Sequence, residues 1–163
     1  MTRPLAIVAV LVLFVNDHVL KQAFPGFVTG KLSDVAGMIF FPLLLHELAW
    51  MFVPASRRDD RLHDRVLLVA CVETALVFTA TKTLAPANEA YRVVWGAMLW
   101  PLRALRALVH GAGLPAYARV VLVRDPSDVL AVPFVALAWL TGRRLQRSKS
   151  GGASRFPEVI GAR

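Results

Sequence analysis

A chain of 163 residues that is 56% hydrophobic, with a mean hydropathy of +0.55, carries too little polar surface to coat a soluble globule of its size. Its net charge of +8 is dispersed over short connections and the C-terminal tail. With no Gly-rich phosphate loop and no aromatic residues interleaved among the cations, the pattern argues against nucleic acid and for anionic lipid headgroups as the partner of that charge.

The elements follow in chain order. Leu5 to Val15 has no polar side chain. Arg3 and this run have the outline of a signal peptide, but Asn16 to Lys21 lacks a small-x-small cleavage site, so Pro4 to Lys21 is read as a retained first span. Crossing a bilayer takes roughly 20 mostly apolar residues at about 1.5 Å each. Pro25-Gly26 and Thr29-Gly30 mark a compact connection, and Ser33-Asp34 reads as the N-cap of a second span, Asp34 to Val53. The hydrophilic stretch Pro54 to Arg65 precedes a third span, Val66 to Leu84, which holds Cys71, the only cysteine. Alone in an apolar run, Cys71 has no partner for a disulfide or a thiolate zinc site, and packing is its expected role.

Pro86 opens a long connection. Within it, Val93 to Val109 is apolar but includes Pro101, Arg103 and Arg106, and arginine inside a spanning helix is costly. Trp95, Trp100 and the two arginines suit a helix lying in the membrane interface, over about residues 91–109. Asp125-Pro126-Ser127-Asp128 is a second cap-like cluster before a fourth span, Asp128 to Gly142. Residues 143–163 are basic, then Ser/Gly-rich, and are expected to be a disordered tail.

The predicted fold is therefore all-α: an integral membrane four-helix bundle over 1–142, with an interfacial helix between spans three and four. With four spans, one side of the membrane holds eleven Lys and Arg and the other eight. The positive-inside rule then puts both termini in the cytoplasm. Aligning Lys21 with Lys82 also aligns Pro25 with Pro86, and the second and fourth spans open alike at Ser33-Asp34 and Ser127-Asp128, each followed by a proline, Pro42 or Pro133. The chain thus reads as two tandem helical hairpins.

That arrangement gathers Asn16, Asp17, His18, Lys21, Lys31, Asp34, Lys82, Asp125 and Asp128 at the extracytoplasmic face, where ionised groups need pairing, capping or water. The aspartates have a plain reading as helix caps and a sharper one as partners of Lys21, Lys31 or Lys82 across each hairpin. Three consecutive residues cover about 200° of a helix, so Asn16, Asp17 and His18 do not all meet one neighbour. Glu73, deep in the third span, is expected to be protonated or to face the bundle interior. No metal, haem or other cofactor is implied, because no histidines stand at ligand spacing and no catalytic signature is present.

At Asn16-Asp17-His18-x-x-Lys21 followed by Gly30-Lys31-Leu32-Ser33-Asp34-x-Ala36-Gly37, the first third of the chain resembles a group of uncharacterised small bacterial integral membrane proteins. The resemblance implies the class and no activity. The expected role is a non-enzymatic membrane component, either a subunit of an oligomer or larger complex or a protein that binds or passes a small polar ligand. The alternative is a membrane enzyme acting on a lipid or isoprenoid headgroup, with Asp17 or His18 as base and Lys31 or Arg124 holding phosphate.

Overall fold

The computed structural model describes residues 3–24 and 26–153, and no strand occurs among them. Helix α1 (Arg3–Val15) runs into a π-helical turn (Asn16–Leu20) and a last α-turn, α2 (Lys21–Ala23). Helices α3 (Phe27–Met51), α4 (Asp60–Thr83), α5 (Ala85–Val109) and α6 (Val135–Ala153) follow, with 3-10 segments at Ala55–Arg57 and Pro126–Phe134. Three stretches, Leu5–Ala23, Val28–Met51 and Asp60–Thr83, are long and apolar enough to cross a membrane. The chain is an all-helical protein built for lipid.

Local chemistry sets the ends, and it moves two of them from where the sequence put them. Helix α3 begins at Phe27 because Thr29 reaches back: its Oγ1 accepts from the Gly26 N–H at 3.1 Å and donates to the Phe24 carbonyl at 3.0 Å. Asp34 therefore lies inside α3, and the cap reading for it is wrong. At the far end Arg58 closes α3, giving Nε to the Val53 carbonyl and Nη2 to the Trp50 carbonyl, both at 3.1 Å. Asp59 caps α4 by accepting the Leu62 N–H at 2.6 Å, which starts that helix six residues before the expected Val66. Pro86 occupies the first turn of α5, where its missing N–H costs nothing.

The fourth expected span differs most. Its first part is the 3-10 segment Pro126–Phe134, and only from Val135 does the chain become α-helical. The tail expected to be disordered continues α6 as far as Ala153, and the rest of that expectation, at 154–163, lies outside the described residues. Of the tandem-hairpin matches, Pro25 also lies outside them, and the two Ser-Asp pairs differ in backbone, one inside an α-helix and one in a 3-10 segment.

The chain divides into two compact units, 1–75 with 130–163, and 76–129. In the first, α3 packs against α1 and α6. Its core is Leu43, Leu67, Cys71 and Ala138, with Leu5, Ala6, Ile39, Val135 and Trp139 against them. Ala9 and Ala36 are buried, small residues of the kind that let helices approach closely without a hydrophobic drive from lipid. Arg143 ties α6 to α4, with Nε donating to Asp64 Oδ2 at 3.0 Å and the guanidinium 5.0 Å from the Trp139 ring centre.

The second unit is α5 with a strap returning along it. Helix α5 closes in a Schellman turn: the Ala112 N–H meets the Ala107 carbonyl at 2.8 Å, the Gly111 N–H meets Leu108 at 3.0 Å, and Gly111 has φ +65°, which glycine adopts without strain. Residues 113–122 then run back along α5 without regular secondary structure. Side chains of α5 hold the strap's carbonyls: Trp100 Nε1 bonds Pro115 at 3.0 Å, Arg103 bonds Ala118 at 3.2 Å, and Arg92 Nε bonds Val120 at 3.1 Å. Tyr117 returns a bond to the Val93 carbonyl at 2.9 Å. Gly96 makes room, since a Cβ there would stand 2.8 Å from the Ala118 oxygen.

Candidate functional site

The π turn in the first unit is where its polar chemistry collects. A π turn holds an extra residue, and such turns cluster at sites where side chains are re-aimed. Here it lets Asn16 and Asp17 both address Ser33 on α3. Asn16, fully buried, donates through Nδ2 to the Thr29 carbonyl at 2.6 Å and to Ser33 Oγ at 2.7 Å. Ser33 in turn donates to Asp17 Oδ1 at 2.7 Å, and Lys21 Nζ reaches the same oxygen at 2.6 Å. The relay Asn16, Ser33, Asp17, Lys21 thus fastens the end of α1 to the start of α3. Among the described residues, Asn16 Oδ1 is buried without a hydrogen-bond partner.

His18 is not part of this relay. Its ring stacks on Phe14 with centroids 4.3 Å apart, and Nδ1 meets the Phe14 carbonyl at 3.0 Å, so the ring stays on its own helix. Lys31 and Asp34 are half-buried on α3, each engaged in further contacts. Lys21 is bonded to Asp17, four residues before it, a pairing the hairpin alignment did not raise.

In the second unit, Lys82 and Asp128 come together. Lys82 Nζ donates to Asp128 Oδ2 at 2.5 Å, with the two side chains 10% and 9% exposed. Asp125 does the capping there, its Oδ1 accepting from the Ser127 N–H at 2.9 Å and from Ser127 Oγ at 2.7 Å. Asp128 is thereby freed for the lysine. Beside them the buried Asn88 bridges the end of α4 to the strap, with Nδ2 on the Thr81 carbonyl at 2.9 Å and on Leu122 at 3.4 Å. Glu89 takes Arg92 at 3.0 Å and Arg119.

Of the two arrangements expected for Glu73, the inward-facing one is not adopted. The residue is exposed, not turned into the bundle, on a face of α4 that also presents Val69, Val72, Leu76 and Val77. Sequence reasoning also missed a ring cluster between α3 and α4. His46 lies 4.4 Å from His63 edge-on and 5.6 Å from Trp50, and His46 is 2% exposed with neither ring nitrogen hydrogen-bonded. Spacing signals it only after the fact: His46 and Trp50 are one helical turn apart, and the early start of α4 brings His63 opposite them.

Among the described residues no group of three or more His, Cys, Asp or Glu side chains is placed to hold a metal ion. No protein-family model, curated protein or solved structure matches the chain.

Proposed function

We propose that this protein is a non-enzymatic subunit of a larger assembly in a bacterial cytoplasmic membrane. Both termini are cytoplasmic in this reading, and the Lys/Asp groups sit at the extracytoplasmic face. The observation that carries it is Glu73, an exposed carboxyl in the middle of the candidate span Asp60–Thr83, with Val69, Val72, Leu76 and Val77 exposed around it. A charged group at the centre of a spanning helix costs on the order of 3 kcal/mol when it faces lipid, and such groups otherwise meet a partner. Among the described residues the exposed face of α4 around Glu73 is apolar, so a second polypeptide is the natural source of the donor.

The polar relays support the same role. Asp17 Oδ1 accepts from Lys21 and Ser33, and His18 Nδ1 meets the Phe14 carbonyl, so the shown contacts of both groups are ties within the chain. Lys82 and Asp128 neutralise each other. These groups read as internal ties that hold helices in register while the outer faces are left for partners and lipid.

Native mass spectrometry and light scattering on the chain extracted in mild detergent test this. The expected result is a particle heavier than one chain that dissociates in Glu73→Leu and is partly kept in Glu73→Gln, which retains hydrogen bonding. A wild-type chain that runs alone, or a Glu73→Leu variant that stays assembled, would overturn the proposal.

A further inference from the structure

We propose that the C-terminal end of α5 carries a binding site for the phosphate of an anionic phospholipid headgroup. A cavity of about 320 Å³ there is lined by Arg103, Arg106, Ala107, His110 and Ala112. Three of the five lining residues are basic types and none is acidic. The carboxylates of this unit, Glu89, Asp125 and Asp128, are taken up elsewhere by Arg92 with Arg119, by Ser127 and by Lys82. Arg103 is held in place by the Ala118 carbonyl, which leaves its other guanidinium nitrogens to meet a ligand.

A helix C-terminus ordinarily repels anions, through its unbonded carbonyls. Here three of the last four carbonyls are occupied. The Arg106 oxygen takes the His110 N–H at 3.2 Å and His110 Nδ1 at 2.7 Å, Leu108 takes Gly111, and Ala107 takes Ala112. What faces outward is guanidinium, whose planar fork matches phosphate oxygens.

The apolar neighbour of the site chooses the source of the phosphate. Leu102, Arg106 and His110 stand in one i, i+4 row, and beside it Val94, Met98, Leu102, Leu105 and Val109 form an exposed apolar stripe along α5. A stripe of this kind sinks into acyl chains and brings the flanking cations to headgroup depth. A soluble phosphate compound would have no use for the stripe. The assignment is independent of any contact made by Glu73.

The test uses the intact chain in detergent micelles doped with phosphatidate, with phosphatidylcholine as the second lipid and inorganic phosphate as competitor, retained lipid being counted by native mass spectrometry. Phosphatidate should be retained in preference to phosphatidylcholine. At roughly fivefold per cation, Arg103→Gln with Arg106→Gln should weaken it by about 25-fold. Arg106→Gln alone, which leaves the strap contact of Arg103 in place, should still lose several-fold. Arg61→Gln with Arg144→Gln removes equal charge from exposed positions in the other unit and should change little. Equal loss in that control, or none in Arg106→Gln, would overturn the site. Displacement of the lipid by low concentrations of inorganic phosphate would overturn the lipid assignment in favour of a soluble phosphate.

Discussion

At the scale of single residues, the clearest energetic statement concerns Lys82 and Asp128. Both are about nine-tenths buried, so removing either leaves a charge without its counter-ion in a poorly solvated place. Lys82→Met or Asp128→Asn is expected to cost roughly 3–5 kcal/mol, read as a lowered melting temperature in detergent. Exchanging the two, Lys82→Asp with Asp128→Lys, should recover part of that loss. Recovery should be incomplete, because an aspartate in the last turn of α4 opposes the helix dipole. A double variant no better than either single change would show that the ion pair is not what holds these residues. The Asn16 relay differs in kind: its ion pair, Lys21 with Asp17, is 41% and 44% exposed and adds little by itself, whereas the buried Asn16 amide satisfies two acceptors on α3.

At the scale of elements, the strap and the π turn solve the same problem, that of an irregular backbone beside an apolar helix. Carbonyls of the strap have no ladder to join, and α5 supplies Trp100, Arg103, Arg92 and Asn88 as donors in its place. The close approach depends on Gly96. In Gly96→Val the new Cβ would meet the Ala118 oxygen at 2.8 Å and Arg119 Cα at 3.0 Å, both backbone atoms with nowhere to retreat. The expected cost is about 1–3 kcal/mol, with the strap lifted from α5. Trypsin cleavage at Arg119 and Arg124 should then accelerate several-fold, while Gly30→Ala, where a Cβ meets nothing within 4 Å, should leave it unchanged. An unaltered cleavage rate in Gly96→Val would show that the strap is not seated by that contact.

At the scale of the whole molecule, topology turns on residues 126–142. Three candidate spans alone would place the termini on opposite sides of a membrane, and the proposed cytoplasmic location of both requires a fourth crossing. The 3-10 geometry makes that feasible in a short segment. Nine residues at about 2.0 Å rise, followed by eight at about 1.5 Å, reach about 30 Å, the thickness of the hydrocarbon layer. The basic residues that follow Gly142 then fall where the positive-inside rule wants them. A green fluorescent protein fused to the C-terminus should therefore fluoresce and an alkaline phosphatase fusion should be inactive. The reverse pattern would mean an odd number of crossings.

By itself the sequence determined the solvent this chain is built for, the existence of its first three apolar helices and the residues whose charges need an answer. Those properties are local: hydropathy summed over a turn or two, and a charge that is costly wherever the helix happens to face. Tertiary structure decided who answers whom. Ser33 looked like a cap and became the link between Asn16 and Asp17, because Thr29 had already started the helix. Asp128 read both as a cap and as a partner for Lys82, and the fold chose the lysine, because Asp125 had taken the capping role. Glu73 was expected to be protonated or to turn inward, and it lies outside, since the face a helix buries is set by its neighbours and not by its own composition.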